Sequence, residues 1–459
     1  MKKILLLSLG LFTICGFCSN AQAFQIVYPK SKMATTTADK TFFIGNETGG
    51  KVLKINNEVV PLHESGGFIY TVNLEVGNND FVISNGAAKP VTYRIIRKQK
   101  PVSTGNTTVT NYKTPIFVET DGDNIPLRVT PLDFGANRLQ HLPKNIVLTA
   151  VGEYKNFYKI QLSRDDFAWI SKNNVKKASK PEQELASLSV ISFDKNPESR
   201  IYKFKLDKKV PYIVFDNKGL DLTIYNVKGY PFNKYELRIN NISPNLGFKS
   251  YYTSSNELVV ETKNRLPKIS KLKILDGLKI TIDAGHGGEE LGAVGCLGNP
   301  EKDINLSIAM LLKERLQKAG ATVFMTREED DYVSLADRVS FANKNSTDVF
   351  ISIHNNAVAD AQARNDISGT ETYYFYPQSK ELGKSIQAAL VNNLNSQDGG
   401  VKQQSFAVVR NTECLSLLLE IGYMISPSDN AKLMDSDYQA KIADSIVEGL
   451  EKYFVNTKF

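Results

Sequence analysis

Residues 279–288 read KITIDAGHGG, and this stretch decides the fold of the C-terminal part of the chain. An apolar strand from Lys279 to Ile282 leads into Asp283 and then into His286, which is set among three glycines. Open α/β sheets bind their ligands at the carboxyl ends of their strands. Taken alone, the stretch leaves two interpretations of His286 open, a metal ligand or a polar residue in a turn.

Strands and helices alternate from Leu278 onwards. The helix EKDINLSIAMLLKERLQKAG follows the first strand, and its apolar residues Ile304, Ile308, Leu312 and Leu316 recur at helical spacing. Further strands are predicted at ATVFMTR, DVFISIHNN, TETYYFY and SLLLEIGY, and further helices at SLADRVSFANKN, KELGKSIQAALVNNL and near Tyr438 to Phe454. The pattern predicts an α/β domain over residues 276–459, with a mixed, mostly parallel sheet covered by helices.

The residues before this domain predict three small all-β modules. With 459 residues the chain is expected to form several domains. Short alternating strands between turn signals predict an immunoglobulin-like β-sandwich over residues 24–98 and a second β-sandwich, similar to envelope-targeting (AMIN-like) domains, over residues 186–268. Residues 99–113 form a predicted polar linker. Residues 114–178 resemble bacterial SH3-like β-barrels in the segments PLRVTPLD, HLPKNIVLTAVGEYKNFYKIQL and DFAWISKNNVKK.

The first 23 residues have the pattern of a signal peptide. Lys2 and Lys3 precede an apolar run from Ile4 to Cys18, and Ala21 and Ala23 form a small-x-small end. The run is short for a membrane anchor, which needs about 20 apolar residues. We therefore expect an exported protein of the periplasm or of the cell wall and extracellular space, with no stable membrane insertion after signal removal.

Charge and cysteine content narrow the function classes. The formal net charge is +7, and a mildly basic exported chain suits an anionic wall or envelope, with no nucleic acid partner expected. Two of the four cysteines lie in the signal segment, so only Cys296 and Cys414 remain. This count excludes a disulfide scaffold, although one bridge between the two stays possible.

Two histidines of the α/β domain stand where strands end. His286 follows the first strand, and His354 closes the predicted strand Val349 to Ile353. A zinc hydrolase needs three protein ligands and an open fourth position. Glu301 could fold back to the same edge as the third ligand, but a glutamate after Pro300 is also what the first turn of a helix favours.

Glu420 is a carboxylate in an apolar setting. It ends the strand LSLLLE, where burial would raise its pKa unless a charge or a hydrogen bond held it ionised. Such an environment suits a general base near neutral pH. The alternative is a glutamate that emerges into solvent.

Residues 278–456 resemble the zinc-dependent N-acetylmuramoyl-L-alanine amidases. The motifs ITIDAGHGGEELGAVG, EKDINL, YVSLADRVSFAN, DVFISIHNNA, SGTETYYF, FAVVR and LLLEIGY occur in the family's order. The resemblance implies one zinc ion held by His286, Glu301 and His354, and it makes Glu420 the catalytic glutamate. The chain departs from the family at Glu290-Leu291, where an Asp-Pro-like pair is usual, and at Ser426, where asparagine is usual.

The resemblance also implies a substrate and a mechanism. The substrate would be peptidoglycan, cut at the amide between N-acetylmuramic acid and the first L-alanine of the stem peptide. Zinc would lower the pKa of its water to about 7, and Glu420 would move the proton. Only residues 355–368 separate His354 from the next strand, which is too short for a loop and the blocking helix of some division amidases, so we expect constitutive access to the metal.

Several further residues are candidates for support or substrate contact. Asp283 could orient the His286 loop or cap a turn, and Asn355 could contact substrate. Arg410 could meet a stem-peptide carboxylate. Arg327 and Arg338 are expected in internal ion pairs. Two other functions stay open: a wall-binding scaffold with an inert α/β domain, and a zinc peptidase with another amide substrate.

Overall fold

The computed structural model describes residues 24–99, 108–133, 137–179, 185–195, 199–216, 219–239, 246–263, 273–410 and 413–457. The predicted signal peptide, residues 1–23, and residues 100–107 of the predicted linker lie outside the described residues. Within the described ranges, no helix is long and apolar enough to cross a membrane.

The first module is a β-sandwich. Its two sheets have the strand orders β1-β3-β6 and β2-β8-β7-β4-β5. The inward residues of both sheets, including Phe43, Phe68, Ile83 and Ile95, form one buried cluster because successive side chains of a strand point to opposite faces. The strands are β1 Phe24–Tyr28, β2 Met33–Thr36, β3 Lys40–Glu47, β4 Lys54–Ile55, β5 Glu58–Val59, β6 Gly67–Asn73, β7 Gly77–Ser84 and β8 Val91–Arg97.

The second module is a single seven-stranded sheet with the order β11-β10-β14-β13-β12-β9-β15 around its own core. Its first strand begins at Thr110, inside the predicted linker, because Thr110 and Asn111 pair with Glu153 and Gly152. The strands are β9 Thr110–Thr120, β10 Ile125–Arg128, β11 Arg138–Leu142, β12 Val147–Tyr154, β13 Phe157–Gln161, β14 Phe167–Ser171 and β15 Val175–Lys177.

The third module has two antiparallel sheets, β16-β17-β22-β21 and β18-β19-β20, that share one core. The strands are β16 Leu188–Lys195, β17 Ser199–Leu206, β18 Tyr212–Asp216, β19 Leu220–Tyr225, β20 Lys234–Ile239, β21 Phe248–Tyr252 and β22 Glu257–Lys263.

The C-terminal domain is α/β. Its six-stranded sheet has the order β24-β23-β25-β28-β26-β27, in which only the β26–β28 pair is antiparallel. The predicted fold class, three β modules before an α/β domain with a mixed sheet, is confirmed. The elements are β23 Lys279–Ala284, α1 Glu301–Lys318, β24 Thr322–Met325, α2 Leu335–Lys344, β25 Val349–Asn356, β26 Thr370–Tyr374, α3 Lys380–Leu394, β27 Asp398–Gln403, α4 Ala407–Arg410, β28 Leu415–Tyr423, α5 Pro427–Leu433 and α6 Ser436–Asn456.

Several details differ from the sequence-based expectation. β25 continues to Asn356, so His354 lies inside the strand instead of closing it. The short elements β27, α4 and α5 carry too few residues to give a periodic signal and were not predicted. Cys296 and Cys414 are both free and buried, in two separate apolar clusters, so the open question of a bridge is answered against it.

The first module packs directly on the C-terminal domain. Phe42, Ile44 and Ile69 share an apolar cluster with Cys296, Tyr423 and other residues of that domain. The hydroxyl of Tyr28 donates to Asp360 Oδ1 at 2.7 Å, and Lys40 Nζ donates to the carbonyl of Ala363 at 2.9 Å. The first module therefore holds the segment that connects β25 to β26.

Candidate metal and catalytic centre

Three potential metal ligands converge at one edge of the sheet. His286 lies in the loop after β23, Glu301 is the first residue of α1, and His354 lies near the end of β25. Each offers one ligand atom, and these atoms lie within 4.8 Å of one another. Glu301 Oε2 is 3.2 Å from His286 Nε2, and Glu301 Oε1 is 3.0 Å from His354 Nδ1.

The sheet explains why these residues meet. β23 and β25 are adjacent parallel strands, with Ile282 opposite Ile351, so the residues after both strands reach the same edge. The loop from residue 287 to 300 returns the chain to this edge, where α1 begins. Glu301 thus fits both interpretations from the sequence, because it is a first-turn acidic residue of a helix and also faces two histidines.

Two glycines leave room for the three side chains. A Cβ on Gly285 would lie 2.3 Å from the His354 ring, and a Cβ on Gly292 would lie 2.5 Å from Glu301 Oε2. The left-handed turn itself falls on His286, whose φ is +60°. Gly287 and Gly288 also have positive φ, whereas Gly285 serves close packing against the second histidine.

Hydrogen bonds hold Glu301 in its ionised form. Burial alone would raise the pKa of this carboxyl, but hydrogen bonds from His286 and His354 outweigh burial and hold it well below the usual range. Asn305 Nδ2 and the Asn355 backbone N–H also donate to Oε1, each at 3.0 Å. Burial lowers the pKa of His286, yet the hydrogen bond with Glu301 outweighs it and the net shift is upward.

Glu420 has the opposite environment. It lies in β28, directly opposite His354 of β25 on one side and Glu371 of β26 on the other. Burial raises its pKa well above the ordinary value, and the negative charges of Glu301 and Glu371 add to the shift. Its Oε2 atom is buried and has no hydrogen-bond partner among the described residues. Glu420 therefore carries an oxygen that is free to take a proton.

Glu371 is a second acidic residue of this site that the sequence did not single out. Its carboxylate pairs with Lys402 Nζ at 2.7 Å and accepts hydrogen bonds from the hydroxyls of Tyr423, at 3.0 Å, and Tyr373. Burial raises its pKa, but Lys402 and Tyr373 outweigh burial and the net shift is downward. The motif SGTETYYF contained this residue, and a strand-register argument would have placed it beside Glu420.

Asp283 supports the His286 loop through an arginine. It accepts a hydrogen bond from Ser352 and forms a buried ion pair with Arg338, each at 2.7 Å. Arg338 also donates to the carbonyl of His286 at 2.8 Å, so the pair fixes the loop that carries the histidine. Arg327, expected in an ion pair, instead donates to backbone carbonyls, including that of Gly285 at 3.0 Å.

The other two weak candidates, Asn355 and Arg410, make hydrogen bonds within the protein. Asn355 is 2% exposed, and its Nδ2 donates to Asn305 Oδ1 at 2.8 Å, which suits support of Glu301. Arg410 ends α4, where its guanidinium donates to the carbonyl of Ser405 at 2.6 Å. The charged neighbour that affects its pKa most is Arg128 of the second module.

Three further features that the sequence analysis singled out are the segment after His354 and the two departures from the family pattern, at Glu290 and Ser426. The segment between β25 and β26, which is fully described, contains a 3-10 turn at Asp360–Gln362 and no α-helix. Glu290, one of the family departures, has its Oε1 atom 3.2 Å from His286 Nδ1. Ser426, the other departure, caps α5 by accepting a hydrogen bond from the Asp429 backbone at 3.4 Å.

The donor set suits a zinc ion. Two imidazoles and one carboxylate, with a further position left open, are the ligands of many catalytic zinc sites. Glu301 is ionised, as a ligand must be, and the unpartnered Oε2 of Glu420 lies next to the group. The residues present therefore fit a catalytic zinc.

Comparisons with known proteins agree with this chemistry. A family profile described as N-acetylmuramoyl-L-alanine amidase matches residues 280–452. The uncharacterized protein YqiI of Bacillus subtilis is 41% identical over 185 residues, which are 39% of this chain and 86% of that protein. The probable cell wall amidase LytH of Staphylococcus epidermidis is 36% identical over 182 residues, 39% of this chain and 60% of LytH.

A solved structure is also similar. The N-acetylmuramoyl-L-alanine amidase from Clostridium difficile 630 is 34% identical, and the match covers 39% of this chain and 98% of that one, with a TM-score of 0.38. The chain thus spans less than two thirds of LytH but nearly all of the solved Clostridium difficile chain.

Proposed function

Because the chain belongs to the N-acetylmuramoyl-L-alanine amidase family, we propose that residues 276–459 hydrolyse the amide between N-acetylmuramic acid and the L-alanine of peptidoglycan stem peptides. The observation that carries the proposal is the convergence of His286, Glu301 and His354 beside Glu420, whose Oε2 has no partner among the described residues. Three ligands and a neighbouring base are what hydrolysis by an activated water needs.

His286, Glu301 and His354 would hold one zinc ion per catalytic domain. A zinc ion in such a site lowers the pKa of water to about 7 and polarises a carbonyl. Glu420 would accept a proton from the attacking water at Oε2 and return a proton to the leaving amine nitrogen. Arg338 and Asn305 would keep the His286 loop and the Glu301 carboxylate in place during this transfer.

The remaining parts of the proposal concern location. We propose that residues 1–23 direct export, and that the β modules keep the enzyme at the peptidoglycan. The signal-like pattern of residues 1–23 and the basic charge of the chain support this, as does the similarity to a probable cell wall amidase. Action in the periplasm or in the outer wall fits these observations equally.

Digestion of purified peptidoglycan tests the activity. The zinc-loaded full chain is incubated with intact sacculi, and the new ends are identified by mass spectrometry after labelling of free amines. New N-terminal L-alanine together with free lactyl groups supports the amidase. Cleavage inside the stem peptide would indicate a zinc peptidase, and no release at all would indicate a binding scaffold.

A further inference from the structure

A large cleft lies where three parts of the molecule meet. Its volume is about 980 Å³, and its walls come from β11 of the second module, β21 of the third module, and α2 and α4 of the C-terminal domain. Arg138 and His141 line it from one side and Arg410 lines it from the other. This cleft is separate from the candidate zinc centre, since His286, Glu301, His354 and Glu420 do not line it.

Arginines converge at this cleft. Arg138 lies opposite Arg128 in the β10–β11 pair, so two guanidinium groups start from adjacent backbone positions. Burial lowers the pKa of Arg138 to about 10, and the positive charges of Arg410 and Arg128 contribute to this shift. Like charges at such close range repel each other and destabilise the folded chain unless an anion offsets them.

The described residues offer little negative charge to this group. Arg128 NH2 pairs with Asp133 Oδ1 at 3.0 Å, and the charge of Asp133 also acts on Arg138, but within the described ranges Arg138 and Arg410 form no ion pair of their own. Glu413 also lines the cleft, and Lys249 there pairs with Glu261 at 2.9 Å, but with Arg138, Arg410 and Lys344 the cationic side chains of the lining still outnumber the acidic one. The guanidinium groups of Arg138 and Arg410 are therefore available to bind an external anion.

Two guanidinium nitrogens have unused donors. Arg128 is 4% exposed, and its Nε atom is buried without a hydrogen-bond partner in the described part of the chain. The same holds for Nε of Arg410. Burial and the three arginines lower the pKa of His141 to about 4, so this ring is neutral and Arg138 NH1 lies 3.2 Å from its Nε2. A buried donor without a partner costs free energy. Only Arg410 of these two lines the cleft, so an anion bound there would lie next to its side chain.

We propose that this cleft is an anion-binding site for phosphate groups. Guanidinium forks match the oxygen geometry of phosphate and bind it with charge-assisted hydrogen bonds. Arg138 and Arg410 line the cleft, and Arg128, which pairs with Asp133, lies behind it, so the site favours an anion with more charge than a single carboxylate carries. The phosphate could belong to a phosphodiester-linked envelope polymer or to a free phosphate ester. The polymer as a source rests on the proposed function, whereas phosphate recognition does not.

Binding of such an anion would join three modules. Arg138 belongs to the second module and Arg410 to the catalytic domain, while Lys249 of the third module lines the same cleft. An anion held between them would act as a bridge, and it would stabilise the arrangement in proportion to its affinity.

The test uses the zinc-loaded full chain and three probes: inorganic phosphate, an oligomer of poly(glycerol phosphate), and acetate. Isothermal titration calorimetry and thermal melting measure binding to the wild type and to Arg138→Met and Arg410→Met. We expect both phosphate probes to bind and to raise the melting temperature, and each variant to lose about tenfold or more in affinity. Tighter binding of the oligomer identifies the polymer as the source, and equal binding identifies a free phosphate ester.

The control is Arg94→Met, which removes an exposed arginine of the first module that pairs with Asp80. It should leave the phosphate affinity as in the wild type. Without any anion, Arg138→Met should melt at the same or a higher temperature, because the substitution relieves repulsion, whereas a purely structural arginine would give a lower one. Acetate binding as tight as phosphate binding, or no binding of phosphate to the wild type, would overturn the proposal.

Discussion

Glu301 and Glu420 are two glutamates of one site whose pKa values are shifted in opposite directions. Burial raises the pKa of both, but Glu301 receives hydrogen bonds from His286 and His354 that reverse the shift. Glu420 has an oxygen without a partner among the described residues, and the charges of Glu301 and Glu371 raise its pKa further. Hydrogen bonding, and not burial, therefore decides which of the two carboxylates stays ionised.

Because of this difference in pKa, the two glutamates have different roles in the site. A metal ligand has to be ionised and fixed, and Glu301 is both, since Ala293, Asn305 and Asn355 donate hydrogen bonds that hold its carboxylate in place. A general base has to exchange a proton at working pH, which requires a raised pKa and a free oxygen. Pairs of acidic groups with diverging pKa values mark acid–base assignments in enzymes generally.

The largest effect is expected from Glu301→Gln, which removes the ionised member of the pair. The amide has no negative charge to place between the two histidines, so the purified variant should lose both stoichiometric zinc and peptidoglycan hydrolysis. Metal content by atomic emission and amine release from sacculi measure the two losses. A variant that keeps a full equivalent of zinc would show that Glu301 is not a ligand.

The second largest effect is expected from Glu420→Gln, which removes the base and leaves the ligands. Turnover should fall by about a hundredfold to ten-thousandfold, the usual contribution of a positioned acid–base group. Zinc should remain stoichiometric, in contrast to Glu301→Gln. Loss of the metal from the Glu420 variant would make Glu420 a ligand and abolish the division between the two residues.

A smaller effect is expected from Asn305→Leu, which removes a hydrogen bond from Glu301 without changing any ligand. Asn305 is fully buried and donates to Glu301 Oε1 at 3.0 Å. Loss of such a supporting bond typically lowers metal affinity by about 10- to 100-fold. Competition with a chelator measures it. The control is Asn393→Leu, because Asn393 is exposed and its amide bonds Glu448 on the surface; equal losses in both variants would contradict the support role.

The sequence allowed part of this site to be predicted. The alternation of strands and helices predicted the α/β fold, which is confirmed, and parallel strands bring the segments after β23 and along β25 to one edge, so the approach of His286 and His354 was expected. Glu371 was not expected, because its position depends on the register between β26 and the antiparallel β28. Asn305 was missed because a fully buried polar residue on α1 looks like any helical asparagine until its partners are placed.

The contacts of the β modules with the catalytic domain were also not predicted from the sequence. Their strand patterns indicated all-β folds, but contacts between modules depend on surfaces that carry no periodic signal. In the sequence, Tyr28 and Lys40 look like ordinary residues of a strand region. In the structure they donate hydrogen bonds to Asp360 and Ala363 of the catalytic domain. Arg410 was a candidate for substrate contact because of its motif, and the influence of Arg128 of another module on it was not foreseen.

The smallest effect is expected from variants that change the charge next to Glu420. Activity requires the ionised base, so it falls as the pH drops through the pKa of Glu420. Glu371 raises that pKa, after burial and Glu301, and Glu371→Gln should therefore move the acidic limb of the kcat/KM profile to lower pH. Lys402→Met should move the same limb to higher pH, because Lys402 partly neutralises Glu371 at 2.7 Å.

The two variants are expected to move the acidic limb in opposite directions, which makes the pair informative. A bound zinc ion changes the absolute position of the limb but is common to all variants, so the displacement relative to the wild type retains its sign. Glu381→Gln serves as the control, since Glu381 is exposed on α3 and pairs with Lys384. A limb that moves in the same direction for Glu371→Gln and Lys402→Met would mean that these residues act on activity through packing and not through the charge felt by Glu420.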